Sequence, residues 1–320
     1  MTIPRRLFLG LAGAAAFGAS ARAADKIAAG TLGGQAPLWP FYIASRKGFF
    51  AAQNLDVDIA FAQSGAAVTQ QLTAGSIEIA LSVGINDPIH AVDKGASVAI
   101  VRIIGNAAPY VLIGKKGLKT IADLKGKTVS IGSAKDMTTI YFERMAAMSG
   151  LKKGDYDVLS AGVAAARFAA LKAGVVDAAL VLPPLNFQAE KAGYVSIAFA
   201  PDYVKDLPFT GMAVFKPWAA QHGDLVKRVL AATDASIAWL ADAAHRDEAV
   251  DLLVKSAHAD PTDSAASYDL LRRSGYFEPT SKVSRAKLQN LIQEERRAGN
   301  IGATLTVEQL IMPGITELAD

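Results

Sequence analysis

Arg167 is well equipped to hold an anion, because its planar guanidinium can bond a carboxylate or sulfonate through two parallel N–H groups. It also reads as a surface arginine on a helix. Asp87 and Asp136 offer the opposite chemistry and would accept from an amine or a nitrogen heterocycle. Each also stands where a carboxylate caps a helix, and an ionised Asp136 near a site would oppose an anion there. Asn86 adds an amide beside Asp87, and Ser64, Ser133, Thr138 and Thr139 add hydroxyls. Ser64 before an apolar helix is equally an N-cap. Trp39 can cover a ligand as an apolar lid or pack against its own helix. Tyr110 and Phe209 can line a cleft or sit in a core as apolar strand residues. These are groups that bind; none of them forms a bond-breaking set.

Catalytic patterns are missing. The chain has no cysteine, which excludes thiolate metal sites, cysteine nucleophiles and disulfides. His90, His222, His245 and His258 lack metal-ligand spacing, so no metal is assigned. Gly126-Lys127-Thr128 looks like the tail of a phosphate-binding loop, but Ile121 occupies the place of the first glycine and a strand follows it. There is no G-x-S-x-G elbow. No catalytic residue and no cofactor is assigned, and the expectation is a binding protein that is not an enzyme.

The elements that must position these groups show a repeat. Leu72-Thr73-Ala74-Gly75-Ser76-Ile77-Glu78-Ile79-Ala80-Leu81 and Leu171-Lys172-Ala173-Gly174-Val175-Val176-Asp177-Ala178-Ala179-Leu180 share the pattern L-x-A-G-x-x-acidic-x-A-L. Each reads as a helix end, a glycine in the left-handed conformation, then a buried strand. Any two αβ units can look alike, but six shared positions in ten suggest two similar α/β lobes. Strands alternate with helices along the chain, which argues for parallel sheets. Breaks at Asn106–Pro109 and Pro208–Gly211 interrupt the alternation, and the pattern beyond Trp218 is mostly helical. Open parallel sheets bind ligands where strand ends enter helices, since helix N-termini present free N–H groups. That rule selects Gln35 to Pro40, Ser64-Gly65 and Gly84 to Asp87 in the first lobe. In the second it selects Ser133 to Thr139, the turn before Arg167, and Pro183 to Asn186, including Pro184 and Asn186.

A 320-residue chain with 51% apolar residues can build two cores. At the N-terminus, Arg5-Arg6 precede an apolar run from Leu7 to Ala21, and Ala21-Arg22-Ala23 supplies a small-residue cleavage site. Residues 1–23 are therefore expected to be a signal peptide, similar to a twin-arginine leader although Pro4 and Gly10 depart from that pattern. Its three arginines account for the whole formal charge of +3. No basic stripe interleaved with aromatics remains, so nucleic acid is not an expected partner.

Several ordered phrases carry a family likeness. Phe41-Tyr42-Ile43-Ala44-Ser45-Arg46-Lys47-Gly48-Phe49-Phe50 with Leu55-Asp56-Val57, then Ile121-Ala122-Asp123-Leu124-Lys125-Gly126-Lys127-Thr128-Val129, resemble phrases of the NMT1/THI5-like solute-binding proteins. Arg167-Phe168-Ala169-Ala170-Leu171 with Gly174 and Val176-Asp177-Ala178-Ala179 resembles a third, and the likeness spans roughly residues 26–215. It implies a type II periplasmic binding fold, two α/β lobes joined by two crossover strands, with residues 26–108 plus 212–320 as lobe one and 109–211 as lobe two. It further implies a monomeric periplasmic component of an ABC importer that closes on a small organic solute and docks on a membrane permease served by an ATPase. Solutes in this group include nitrate, sulfonates and taurine. Val181-Leu182-Pro183-Pro184 departs from the sulfonate and taurine binders, which often carry an acidic or aromatic residue before the proline. The other readings are a THI5-like pyrimidine-synthesis enzyme, whose cysteine-rich motif is absent here, and a ligand-sensing protein without transport.

Overall fold

A computed structural model describes residues 23–33, 36–62, 64–257 and 260–319. Residues 1–22 of the expected leader, Gln35 and His258 lie outside the described residues. The first part of the chain holds β1 (Asp25–Leu32), α1 (Trp39–Arg46), α2 (Phe49–Ala52), β2 (Leu55–Ala62), α3 (Gly65–Thr73), β3 (Ile79–Gly84), α4 (Asn86–Asp93) and β4 (Val98–Gly105). It then crosses to β5 (Val111–Gly114), β6 (Thr128–Ile131), α5 (Met137–Met148), β7 (Asp157–Ser160), α6 (Ala164–Lys172), β8 (Ala178–Val181), α7 (Leu185–Lys191) and β9 (Val195–Phe199). It returns as β10 (Thr210–Phe215). Helices α8 (Lys216–Gln221), α9 (Gly223–Ala241), α10 (Arg246–Ala257), α11 (Pro261–Arg273), α12 (Arg285–Arg297) and α13 (Val307–Leu310) follow.

Two five-stranded sheets result, ordered β2-β1-β3-β10-β4 and β7-β6-β8-β5-β9. The orders are equivalent: in each, the strand formed on entering a sheet from the other lobe inserts between two strands of that sheet. These inserted strands, β10 and β5, run antiparallel to both neighbours. The expectation of parallel sheets is corrected accordingly. An antiparallel strand requires no crossover helix, so helical alternation along the chain cannot reveal it.

The repeated decapeptide falls on matching places, the ends of α3 and α6 and the starts of β3 and β8. Gly75 and Gly174 have φ of 70° and 75°, which lets each helix stop and the chain turn directly into a strand. The conserved spacing of the acidic residue has a physical cause. Glu78 N–H donates to Ala28 O at 2.8 Å, and its carboxylate accepts from Ala28 N–H at 2.5 Å. Asp177 does the same to Thr128, at 2.8 and 3.1 Å. Each acid clamps the neighbouring parallel strand just before its pairing with β3 or β8 begins, sparing a backbone N–H that would otherwise lack a partner. Val68 and Leu72, and Phe168 and Leu171, bury the inward faces of the two preceding helices.

The C-terminal helices do not keep to one side. α9 packs on α1 and α2, whereas Leu270 of α11 joins Val111 and Val181 of the second sheet and Phe168 of α6. Asn290 of α12 donates to Asp206 O at 3.2 Å, and Arg144 lies 3.7 Å from Glu294. At the two crossings, the Tyr141 hydroxyl accepts from Ala108 N–H at 3.0 Å and donates to Leu207 O at 3.2 Å. One side chain of α5 thus ties both interlobe segments together. Tyr110 and Phe209 stack edge-on beside it, their centroids 5.2 Å apart.

Candidate functional site

Four helix N-termini open onto one cavity of about 220 Å³ between the sheets, those of α3, α4, α5 and α6. Each follows a strand or strand-end loop, so free N–H groups and positive dipole ends point at the same space. Ser64 caps α3 by accepting from Ala67 N–H at 3.2 Å, and Asp136 caps α5 by accepting from Thr138 N–H at 2.9 Å. The Thr138 hydroxyl donates to Asp136 and accepts from Gly132 N–H at 2.7 Å, which locks that loop.

Ten of the residues singled out from the sequence line this cavity: Ser64, Gly65, Asn86, Asp87, Tyr110, Ser133, Asp136, Thr138, Arg167 and Phe209. Four others lie elsewhere. Trp39 is fully buried in the core, edge-on to Tyr268 at 5.8 Å, so it is no lid. The Thr139 hydroxyl donates to Ser133 O at 2.6 Å and braces the loop from outside the lining. Pro184 and Asn186 begin α7 after the chain has turned away, and Leu182 reaches the cavity in their place. Asn186 instead lines a separate groove with Glu190 and Phe199. Gln35 lies outside the described residues. Leu32, Ser82 and Thr210 also line the cavity and escaped the sequence reading, whereas Met137 falls inside the selected loop Ser133 to Thr139. Thr210 follows Phe209 at the second crossing, so the reasoning that singled out Tyr110 at the first could have found it. Nothing in sequence marks Ser82, a small residue inside a buried strand.

Arg167 is not a surface residue: only 4% of it is exposed. Its Nε donates to Leu180 O at 2.5 Å and its Nη1 to Gly162 O. Its guanidinium carbon lies 5.8 Å from the centre of the Tyr110 ring. Among the described residues no carboxylate comes within 4.0 Å of it and no hydrogen bond occupies Nη2. Burial pulls its pKa below the ordinary value, against the opposing effects of Tyr110 and Asp136. An unpaired buried cation beside a cavity is costly unless an incoming group pairs with it.

Asp87 faces it from the other lobe. Burial pushes its carboxyl up to about 7; His90 opposes the rise, and Asp136 and Glu295 add to it. Burial likewise raises Asp136, held back by its bonds to Thr138 and by Arg167. A Cβ at Gly65 would run into Asp87 Oδ2, and one at Gly132 into Asp136 Oδ2. Glycine at these points lets each carboxyl lie against a neighbouring strand end or helix start. Asn86 Nδ2 donates across the cleft to Lys135 O at 3.0 Å. One turn beyond Asp87, His90 Nε2 contacts Glu295 Oε2 of α12 at 2.9 Å. No cluster of metal-ligating side chains occurs among the described residues.

Two sheets of equivalent order, crossed twice by the chain and enclosing a cavity between them, define a protein of the periplasmic binding fold. A family model described as NMT1/THI5 like matches residues 35–249, and the chain belongs to that family. A Brucella abortus (strain 2308) relative, named provisionally as a binding protein, is 26% identical over 265 residues, covering 80% of each chain. The periplasmic aliphatic sulphonate binding protein SsuA from Escherichia coli superposes with a TM-score of 0.75 at 20% identity, over 91% of this chain and 98% of that one. The periplasmic nitrate-binding protein NrtA from Synechocystis PCC 6803 gives 0.70 at 18% identity, over 88% and 83%. At these identities the structural matches establish the fold.

Proposed function

We propose that this chain is the periplasmic solute-binding component of an ABC importer, exported by its N-terminal leader and working as a monomer. It captures a small organic solute between its lobes and presents it to a membrane permease. The observation that carries this reading is Arg167, buried without a carboxylate partner among the described residues, on the wall of an interlobe cavity to which four helix N-termini converge. A solute with an acceptor group would complete that guanidinium. The names of the sulfonate- and nitrate-binding structural relatives agree with an oxyanion in this role. The hydroxyl that lies against a carboxylate in the cavity, that of Thr138 on Asp136, is spent on locking the start of α5.

The mechanism is lobe closure. The Asn86 to Lys135 bond and the paired walls of the cavity exist only while the lobes are together, so a solute touching both walls favours the closed form. Small-angle scattering of the mature protein with and without a solute identified by native mass spectrometry tests this. A fall in radius of gyration on binding is expected. A tightly bound solute that leaves the scattering unchanged would sink the closure mechanism.

A further inference from the structure

Asp87 is the charged group in the cavity with the least to do. Asp136 spends its carboxylate on capping α5, accepting from Thr138 N–H and its hydroxyl. Two of the three guanidinium nitrogens of Arg167 donate to Leu180 O and Gly162 O. Among the described residues the Asp87 carboxyl accepts no hydrogen bond and joins no ion pair, although it lines the cavity. It is also held in place by construction. Gly65 leaves room for its Oδ2, and a Cβ at Gly84 would sit 3.4 Å from the same oxygen. A carboxyl kept without a protein partner, in a cavity that already contains a second carboxyl, works against a plain anion.

We infer that Asp87 sets the solute specificity of the cleft by accepting an N–H group, so that the solute carries a protonated or N–H-bearing nitrogen at one end and an acceptor group for Arg167 at the other. This rests on the capture reading above and narrows its substrate class: nitrate and simple alkanesulfonates, which lack such a donor, are selected against. The two ends touch different lobes, since Asp87 belongs to α4 and Arg167 to α6. A solute with both groups bridges the cleft, and one with only the anionic end leaves Asp87 facing it unpaired.

The charged and titratable groups around Asp87 are His90 on its own helix, Glu295 on α12, and Asp136 and Arg167 across the cleft. Since the Asp87 carboxyl titrates near 7, a cationic nitrogen binds better as pH rises through that range, and a plain anion binds worse.

The test is isothermal titration of the mature protein with matched pairs that differ in the nitrogen. The pairs are 2-aminoethanesulfonate and ethanesulfonate, 4-aminobutyrate and butyrate, 4-(aminomethyl)benzoate and 4-methylbenzoate, and 4-aminopyrimidine and pyrimidine. In at least one pair the nitrogen-bearing member should bind at least tenfold more tightly. The advantage should shrink between pH 8 and pH 6. Asp87→Asn, which conserves shape, should abolish the preference while leaving the thermal unfolding cooperative. Gly65→Ala, which displaces the carboxyl without changing its charge, should weaken the same member. The inference is overturned if the nitrogen-free members bind as well, if Asp87→Asn leaves the preference intact, or if none of the eight compounds binds. Scattering of the protein with its co-purifying solute is read separately. Compaction there with no Asp87 effect removes this inference and leaves the capture reading standing, whereas a bound solute without compaction removes the closure on which both rest.

Discussion

Replacing Asp87 by Asn should stabilise the empty protein, and the gain should depend on pH. In the folded chain the Asp87 carboxyl titrates at about 7, against 3.8 for an unburied aspartate. Between those values the folded state holds a proton that the unfolded state has released, so stability falls as pH rises. The shift of about three pH units, at about 1.4 kcal/mol each, sets a ceiling of about 4 kcal/mol on the loss. That loss is nearly complete above pH 7 and absent only well below pH 4. Asparagine keeps the shape and cannot ionise, so its advantage should grow from about 1 kcal/mol at pH 4.5 to about 4 kcal/mol at pH 8. At this chain length that is several degrees in Tm, at roughly 2 °C per kcal/mol. The assay is urea unfolding of protein freed of solute, native and variant side by side, at half-unit steps from pH 4.5 to 8. A stability difference that stays flat across this range, or a variant less stable than the native protein at pH 8, would refute the account of Asp87 as a carboxyl ionised at a cost.

Three further outcomes follow from single contacts. Tyr141→Phe leaves Ala108 N–H and Leu207 O without their shared partner, so stability should fall by about 1–3 kcal/mol in denaturant unfolding. Asn86→Ala removes the bond to Lys135 O across the cleft; the bound form should lose about 0.5–1.5 kcal/mol, read as a roughly two- to tenfold weaker Kd for the co-purifying solute with unfolding little changed. Arg167→Lys preserves the charge but cannot reach both Leu180 O and Gly162 O while offering a further donor to the cavity. Titration of the same solute should show at least a tenfold loss of affinity, and an unchanged Kd would remove Arg167 from the site.

Much of the scaffold was legible along the chain because it is written in short-range signals. Gly48 at φ 74° separates α1 from α2, Ser64 caps α3, and the alternation from Leu55 to Phe61 is that of an edge strand with one face covered. The repeated decapeptide located two equivalent units, and the structure supplied the reason for its acidic residue in the clamps on Ala28 and Thr128. The βα-loop rule selected most of the cavity wall because every helix start near a sheet's carboxyl end is recognisable locally. It misplaced Pro184 and Asn186, since the direction in which a chain leaves a strand is not a local property.

The sequence by itself determined the elements, their caps and turns, the pairing of two similar halves and the family likeness, all through interactions spanning a few residues or through apolar periodicity. Only the tertiary structure decided that β5 and β10 insert antiparallel, that Trp39 is core, and that Arg167 is buried with no carboxylate partner among the described residues. Only there do Asp87 and Arg167, far apart in the chain, face one cavity. Burial and the meeting of charges from separate lobes depend on how distant surfaces pack, and that packing sets the dielectric surroundings that move the Asp87 carboxyl to about 7.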